Sequence, residues 1–389
     1  MLPGNLKNNS GSGHCNSYHR GSKLNQKYKH VAENGEKVEL KVITVDYYSR
    51  NEKFEISTDK PPVLNPLGHI FLNQSISQVN IPLENLGCTD GPVENNMESL
   101  LNYIKSHPQV LDDVDFITYR QILASAAANR DTLHIQAIRC HGRIWIRKLA
   151  DGVTDLPGSL NCCNMARAKA FERLLVDDKD DSQFSRRNGL FKAAGVLYSG
   201  EIDAVDCDGR NVEIKSTLKD DRLRRRGAYY YWQCHLGNVV RTLVGRIDNQ
   251  SGVDIVRTIS SYTADGLMEK VKAQQRFPRF AVENGGRRIG KMLDTLRYHL
   301  KDDGDSVVMT RQTFGFAEDS WTVAVELASE DFQKKVENLS SALGLQLVGR
   351  GSSRETSEVE RFTVAALSGT SAEHRPIWKR TAGGILARN

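Results

Sequence analysis

Three acids and a lysine crowd one short stretch of this chain. They are Glu201 and Asp203 in Gly200-Glu201-Ile202-Asp203, and Glu213 and Lys215 in Val212-Glu213-Ile214-Lys215. Both runs read as β-strands, where side chains at i and i+2 share a face. Glu201 and Asp203 are therefore expected to point one way, as are Glu213 and Lys215. Ile202 and Ile214 are expected in the opposite, apolar layer. If the strands pair, three carboxylates and one ammonium meet. Acids so close repel one another unless a divalent cation neutralises them. Such a cation, Mg²⁺ or Mn²⁺, activates water, neutralises a phosphoryl group and stabilises a leaving oxygen. A lysine beside it can orient the attacking water. The competing reading of either half alone is a cross-strand Glu–Lys pair on a solvated sheet face.

Further elements must position these groups. The helical run from Asn161 to Leu175 carries an apolar stripe of Met165, Ala168, Phe171, Leu174 and Leu175, and its Phe171-Glu172 can bring a fourth acid over the sheet. Asp208-Gly209 between the two acidic runs is a tight-turn signal. A helix near 226–236 carries Trp232-Gln233. Other strands are expected at 37–43, 116–123, 132–139, 143–147, 238–247, 253–260, 306–315 and 320–328. Cys140-His141-Gly142 reads as a hairpin turn. Helices are expected near 95–105, 263–275, 278–301 and 329–343. Residues 58–95, with Pro61, Pro62, Pro66, Pro82 and Pro92, read as an extended surface wrap.

The chain has 389 residues, of which 39% are hydrophobic, enough for one large core. No apolar run reaches membrane-spanning length, and the start lacks a secretory layout. Seven scattered cysteines without a C-x-x-C pair argue against a disulfide framework or zinc site. Net charge is +5. Arg222, Arg224, Arg225 and Arg226 precede Tyr229-Tyr230-Tyr231-Trp232, a mixture suited to a polyanion with stackable bases. A solvated loop running into a buried helix accounts for it equally well. Gly285-Gly286-Arg287-Arg288-Ile289-Gly290-Lys291 lacks phosphate-loop spacing and reads as a basic helical face. His141 and His235 read as locally hydrogen-bonded. The expected class is α/β (α+β), a single large domain of mixed β-sheets flanked by helices. Residues 1–30 read as a disordered polar segment and 351–389 as a partly mobile tail.

Acid on a helix, E-x-D strand, E-x-K strand and Gln on a helix is the order of the PD-(D/E)XK nuclease core. From about Phe116 to Leu327 the chain resembles the decapping and exoribonuclease (DXO) family of that superfamily. Arg120, in Phe116-Ile117-Thr118-Tyr119-Arg120, matches the family's lone strand arginine. Ala168-Lys169-Ala170-Phe171-Glu172 stands for its helical Gly-x-x-aromatic-Glu. Glu201-Ile202-Asp203, Glu213-Ile214-Lys215 and Trp232-Gln233 match the next three motifs. Ala168 replaces the motif's Gly, Tyr229 stands where relatives often carry a basic residue, and Cys234-His235-Leu236-Gly237-Asn238 differs from the usual Pro/Gly-rich stretch. These departures bear on pocket shape and turnover.

The resemblance implies that 31–350 is a DXO-like catalytic domain. It implies that Glu172, Asp203 and Glu213, with the Ile214 carbonyl, hold one or two Mg²⁺ or Mn²⁺ ions, and that Glu201 binds metal directly or through water. Lys215 would position the nucleophile, Gln233 the scissile phosphate or the water, and Arg120 would grip RNA phosphate. Such enzymes act on RNA 5′ ends: they remove incomplete or NAD caps, release pyrophosphate, and in many cases degrade 5′-monophosphate RNA. The implied protein is monomeric, nuclear and/or cytoplasmic, and binds no membrane. The alternative is a weak or inactive RNA 5′-end binding protein on the same fold. A DNA nuclease of the superfamily is a third reading.

Overall fold

The computed structural model describes residues 29–31, 37–86, 94, 97–129, 132–149, 160–177, 186–218, 221–250, 252–274, 282–311, 321–325, 328–343 and 361–363. The polar start and the tail after 351, apart from these short stretches, lie outside the described residues.

In chain order, β1 (Lys29–Val31), β2 (Lys37–Glu39), β3 (Ile43–Arg50), β4 (Ile56–Ser57) and β5 (Val63–Leu64) precede α1 (Pro66–Asn73). β6 (Ile81–Pro82), α2 (Glu98–Ser106), β7 (Phe116–Tyr119), α3 (Arg120–Ala128), β8 (Leu133–Cys140) and β9 (Arg143–Lys148) follow. The centre holds α4 (Leu160–Leu175), β10 (Val176–Asp177), β11 (Arg186–Ala193), β12 (Val196–Glu201), β13 (Ala204–Val205), β14 (Asn211–Thr217) and α5 (Asp221–Leu236). Then come β15 (Val239–Gln250), β16 (Val253–Thr263), α6 (Ala264–Gln274), α7 (Gly285–His299), β17 (Ser306–Arg311), β18 (Thr322–Val325), α8 (Glu330–Ala342) and β19 (Arg361–Thr363). None of the described helices is long and apolar enough to cross a membrane.

Two mixed sheets carry the domain, as the α/β expectation required. One has seven strands in the order β10-β5-β13-β14-β15-β16-β6. The other has ten, in the order β19-β18-β17-β8-β9-β7-β12-β11-β3-β4. The middle of the ten-stranded sheet is buried on both faces. Along β9, Ile144 and Ile146 enter a core shared with α3, α5 and α7, while Trp145 enters a second core with α2 and α8. That alternation follows from the two-residue period of a strand. A third core lies between the seven-stranded sheet and helices α1 and α4.

Several expected elements shift. The run 116–123 is strand only to Tyr119; Arg120 opens a helix instead of sitting in a strand. The sequence Arg-Gln-Ile-Leu-Ala-Ser-Ala-Ala-Ala has strong helix formers, and Asn129, left-handed at φ 50°, closes it. The strand expected at 37–43 is two, β2 and β3. The proline-rich wrap contains α1, with Pro66 in its first turn and the Asn65 side chain accepting from the Gly68 N–H. α5 begins at Asp221, so the arginine run is helical; of those side chains only Arg226 is among the described residues, and it is exposed. Met165 is exposed and not part of the apolar stripe of α4.

The unexpected strand β11 forms a hairpin with β12 through Ala194 and Gly195, both at positive φ (48° and 75°). Alanine is an unusual first residue for such a turn, so no turn signal marked it. The two turns expected from sequence do form. His141 and Gly142 link β8 to β9 with positive φ. Gly209, at φ 73°, closes the β13–β14 turn while Asp206 Oδ1 accepts from the N–H groups of Asp208 and Arg210.

Candidate active site

The chain changes sheets inside the first acidic motif. Ile202 still donates its N–H to the Arg187 carbonyl of β11, at 2.9 Å, within the ten-stranded sheet. Ala204 already pairs with Val212 of β14 in the seven-stranded sheet. Ile202 and Ile214 accordingly join different cores rather than one apolar layer. Glu201 and Asp203 do not share one strand face, which corrects the expected geometry. They stand on either side of the crossing between sheets, and the crossing brings their acids together with Glu213.

Asp203 lies beside β14. Its Oδ2 accepts the Ile214 N–H at 2.7 Å and faces the Lys215 ammonium at 3.4 Å. Lys215 also donates to Glu213 Oε1 in a short bond, so one ammonium joins the two acids. Glu172 arrives from α4, which Phe171 anchors: a Cβ on Gly245 of β15 would collide with that ring. Lys169, one turn before Glu172, donates to Glu172 Oε2 at 2.7 Å and to Glu201 Oε1 at 3.2 Å. Arg186 of β11 donates to the same Glu201 oxygen at 3.1 Å. The four acids thus form two pairs, each closed on a lysine.

The interior pair is the more deeply buried. Glu213 is fully enclosed and Asp203 nearly so, while the Glu201 side chain is 40% exposed. Burial, then Glu213, pushes the Asp203 carboxyl up to about 8 even though Lys215 opposes the shift. Burial also works against the charge on Glu213, but Lys215 and Arg120 hold its carboxyl below the ordinary range. Burial is likewise overcome at Glu201, which Lys169 and Arg186 hold well below it. The Lys215 ammonium, which burial disfavours, is raised by Asp203 and Glu213.

Arg120 occupies a different place from the one its expected role requires. It is 3% exposed, and its guanidinium is committed to protein. Nη1 pairs with Glu213 Oε2 at 3.3 Å and donates to the Gln233 carbonyl at 3.4 Å; Nη2 donates to the Glu201 carbonyl in a short bond. Two glycines make the passage for it. A Cβ on Gly200 would stand 2.6 Å from Arg120 Nε, and one on Gly237 would overlap Nη1. From this position Arg120 pins Glu213, the end of β12 and helix α5 together. It does not reach a phosphate at the surface.

Gln233 is brought to the site on α5, half-buried, with its carbonyl on Arg120. Its neighbour Trp232 is fully buried, bonds the Val282 carbonyl at 2.8 Å, and packs against Gly285. It is a core residue, not a stacking platform. Tyr229 is close enough that Arg120, Lys215 and Glu213 all act on its hydroxyl, which burial raises above its ordinary value. The glycine-rich run opens α7, where Arg288 is buried and bonds the Ala127 carbonyl, so it forms no phosphate loop. His235 is buried against Tyr231. Sequence reasoning missed Lys169 and Arg186. Lys169 could have been found from its i, i+3 spacing to Glu172; Arg186 sat in an unrecognised strand.

Among the described residues, no three His, Cys, Asp or Glu side chains stand as a ready-made metal group. Each acid pair instead closes round an ammonium. The donor set nevertheless fits a hard cation. It offers carboxylate oxygens and the Ile214 carbonyl, the chemistry Mg²⁺ and Mn²⁺ prefer. The Lys215 ammonium pairs with both Asp203 and Glu213.

No protein-family model and no curated protein matches the chain. Solved structures do. Rai1 of Scheffersomyces stipitis, in complex with (3′-NADP)+ and calcium ion, is 14% identical with a TM-score of 0.55, over 83% of this chain and 100% of that one. Rai1 of Candida albicans, in complex with pU5-Mn2+, is 15% identical with a TM-score of 0.60, over 79% and 96%. Dxo1 of K. lactis, in complex with manganese, is 14% identical with a TM-score of 0.52, over 75% and 90%. The chain shares their fold, which is the fold the motif order led one to expect.

Proposed function

We propose that this chain is a divalent-metal-dependent hydrolase of RNA 5′ ends. It removes incomplete or NAD caps or 5′-pyrophosphate and digests the RNA from that end. The observation that carries the reading is the convergence of Glu172, Glu201, Asp203 and Glu213, from a helix and two sheets, around the paired lysines Lys169 and Lys215. The fold shared with Rai1, whose solved complexes hold pU5-Mn2+ and (3′-NADP)+ with calcium ion, and with Dxo1, solved with manganese, supports the substrate class. A nuclear and/or cytoplasmic location is part of this proposal.

Glu172, Asp203, Glu213 and the Ile214 carbonyl would hold the cation. A bound cation supplies Lewis-acid charge and lowers the pKa of its water. Lys215, released from its acids, donates to the attacking water and keeps its oxygen facing phosphorus. Gln233 orients the scissile phosphate. Arg120 holds Glu213 in place from below and keeps its carboxylate ionised.

The test is incubation of the protein with RNAs bearing NAD, triphosphate or monophosphate ends, with Mg²⁺, Mn²⁺ or EDTA. Cation-dependent product is expected from at least one end, and none from the Glu201→Ala/Asp203→Ala variant with unchanged circular dichroism. Turnover by that variant at the parental rate would overturn the site. Matched RNA and DNA competitors should favour RNA, whose 2′-hydroxyl alone distinguishes them.

A second reading, an RNA-end binding protein without turnover, is favoured by one observation: both acid pairs are closed by lysines. It predicts salt-sensitive binding and no product across the whole panel.

A further inference from the structure

The aromatic run of α5 divides between two environments. On the inner face a Cβ on Gly227 would stand 2.7 Å from Val271 of α6, and Tyr231, Trp232, Cys234 and Leu236 are buried. On the other face Arg226 is exposed, and Tyr229, Tyr230 and Gln233 are half-buried. These positions keep the three-and-four spacing of one helix face. The stripe leads to the acids. Tyr229 falls one turn before Gln233, about 6 Å along the axis. Lys215, Glu213 and Arg226 all act on its hydroxyl, so along the helix it stands between the exposed arginine and the acid cluster.

Both half-buried rings are held in place. Tyr229 and Tyr230 pack at the margin of the core shared with α3 and α7. They meet edge-on, with centroids 6.3 Å apart and planes at 61°. Tyr231 and Trp232 already fill the core from this helix, and their neighbours keep open surface beside Gln233. A ring fixed in this way offers a flat face at little cost in conformational freedom.

We infer that Tyr229 is a base-stacking residue of the RNA site, and that Arg226 grips a phosphate further along the same strand. The inference rests on the RNA-end reading above and deepens it, adding a contact to the base where the acids and Gln233 meet only phosphate. A phosphate held at Gln233 puts the adjoining nucleotide over the preceding turn of α5, where Tyr229 lies. Tyr230, edge-on to it, sets the plane of that ring. A π-face accepts every base, so this contact does not read sequence. It does require an unpaired base, and the strand therefore enters single-stranded. Arg226, exposed and two turns before Gln233, suits the phosphate of a later nucleotide.

Fluorescence anisotropy of a 3′-labelled, 5′-phosphorylated adenosine pentamer, in EDTA and in Ca²⁺, tests this by binding alone. An abasic residue at one of the first two positions should weaken binding to the full chain about tenfold. Tyr229→Leu should bind the intact pentamer about tenfold more weakly and treat the abasic one alike. Tyr229→Phe, which keeps the ring, should stay within about threefold of the parent. Arg226→Gln should weaken intact and abasic pentamers equally and make the salt slope shallower by about one. Parental binding by Tyr229→Leu, a Tyr229→Phe protein as weak as Tyr229→Leu, or a parent indifferent to both abasic positions overturns the inference and leaves the hydrolase reading standing. No binding by the parent in either condition overturns both. Discrimination by a parent that turns over no RNA end upholds the inference and removes the hydrolase. If Tyr229→Leu is unfolded by circular dichroism, Tyr229→Trp decides: its larger ring should bind at least as tightly as the parent and keep the abasic discrimination, and loss of that discrimination overturns the inference.

Discussion

Replacing Arg120 with methionine separates a buried structural arginine from a phosphate-binding one. The side chains of Arg120 and Glu213 are 4% and 0% exposed, and the pair is 3.3 Å apart. Removing one partner of such a pair leaves a charge enclosed, which costs about 3–5 kcal/mol. The carbonyls of Glu201 and Gln233 lose a donor as well. Against a total folding stability of about 5–15 kcal/mol this is a large share. At about 2–4 °C per kcal/mol for a domain of this order, Tm should fall by roughly 10 °C. Thermal denaturation by circular dichroism measures it. Arg120→Lys keeps the charge but not the fork that reaches three acceptors, so it should recover only part of the loss. Adding Glu213→Gln to Arg120→Met removes the stranded charge, and the double variant should be more stable than the sum of the single losses implies. An Arg120→Met protein with unchanged Tm but weaker RNA binding, and a salt slope shallower by about one ion, would refute the reasoning. Arg120 would then be a surface contact.

Three further outcomes follow from the same geometry. Gly200→Ala places a Cβ 2.6 Å from Arg120 Nε and 2.7 Å from its Cβ, and overpacking of this kind should cost about 1–3 kcal/mol in denaturant unfolding, in the Arg120→Met background as well, because methionine keeps that Cβ. The raised Asp203 carboxyl gives a pH signature. Its folded value, about 8, exceeds its unfolded one, so its contribution is full in acid and lost as pH climbs from about 4 toward 8. With EDTA, Tm should decline over that window; Asp203→Asn should flatten the decline, and Mn²⁺ should reverse it, because coordination needs the ionised acid. The Glu201→Ala/Asp203→Ala variant should lose cation-dependent turnover on every RNA end while keeping its helix and sheet content.

Local chemistry was legible in the order of residues. The Glu213-Ile214-Lys215 strand, the Gly209 turn, the His141-Gly142 hairpin and the helix bearing Gln233 all obey short-range rules of period and backbone freedom. They form where those rules put them. The four acids could be nominated only from the order of the motifs taken together, since either acidic run alone reads as a cross-strand pair on a solvated face.

Tertiary structure decided what those acids face. A strand written as Glu-Ile-Asp looks continuous, yet it breaks where Ile202 bonds β11 and Ala204 bonds β14. Which sheet supplies the next hydrogen-bond partner is a long-range matter, and no local pattern encodes it. Lys169 and Arg186 carry no assigned partner in the sequence; α4 and β11 bring them to one carboxylate oxygen. Arg120 reads as a hand for phosphate until two glycines, distant in the chain, open a channel that buries it. Charge type is a property of the residue; its partner and its exposure are properties of the packed chain.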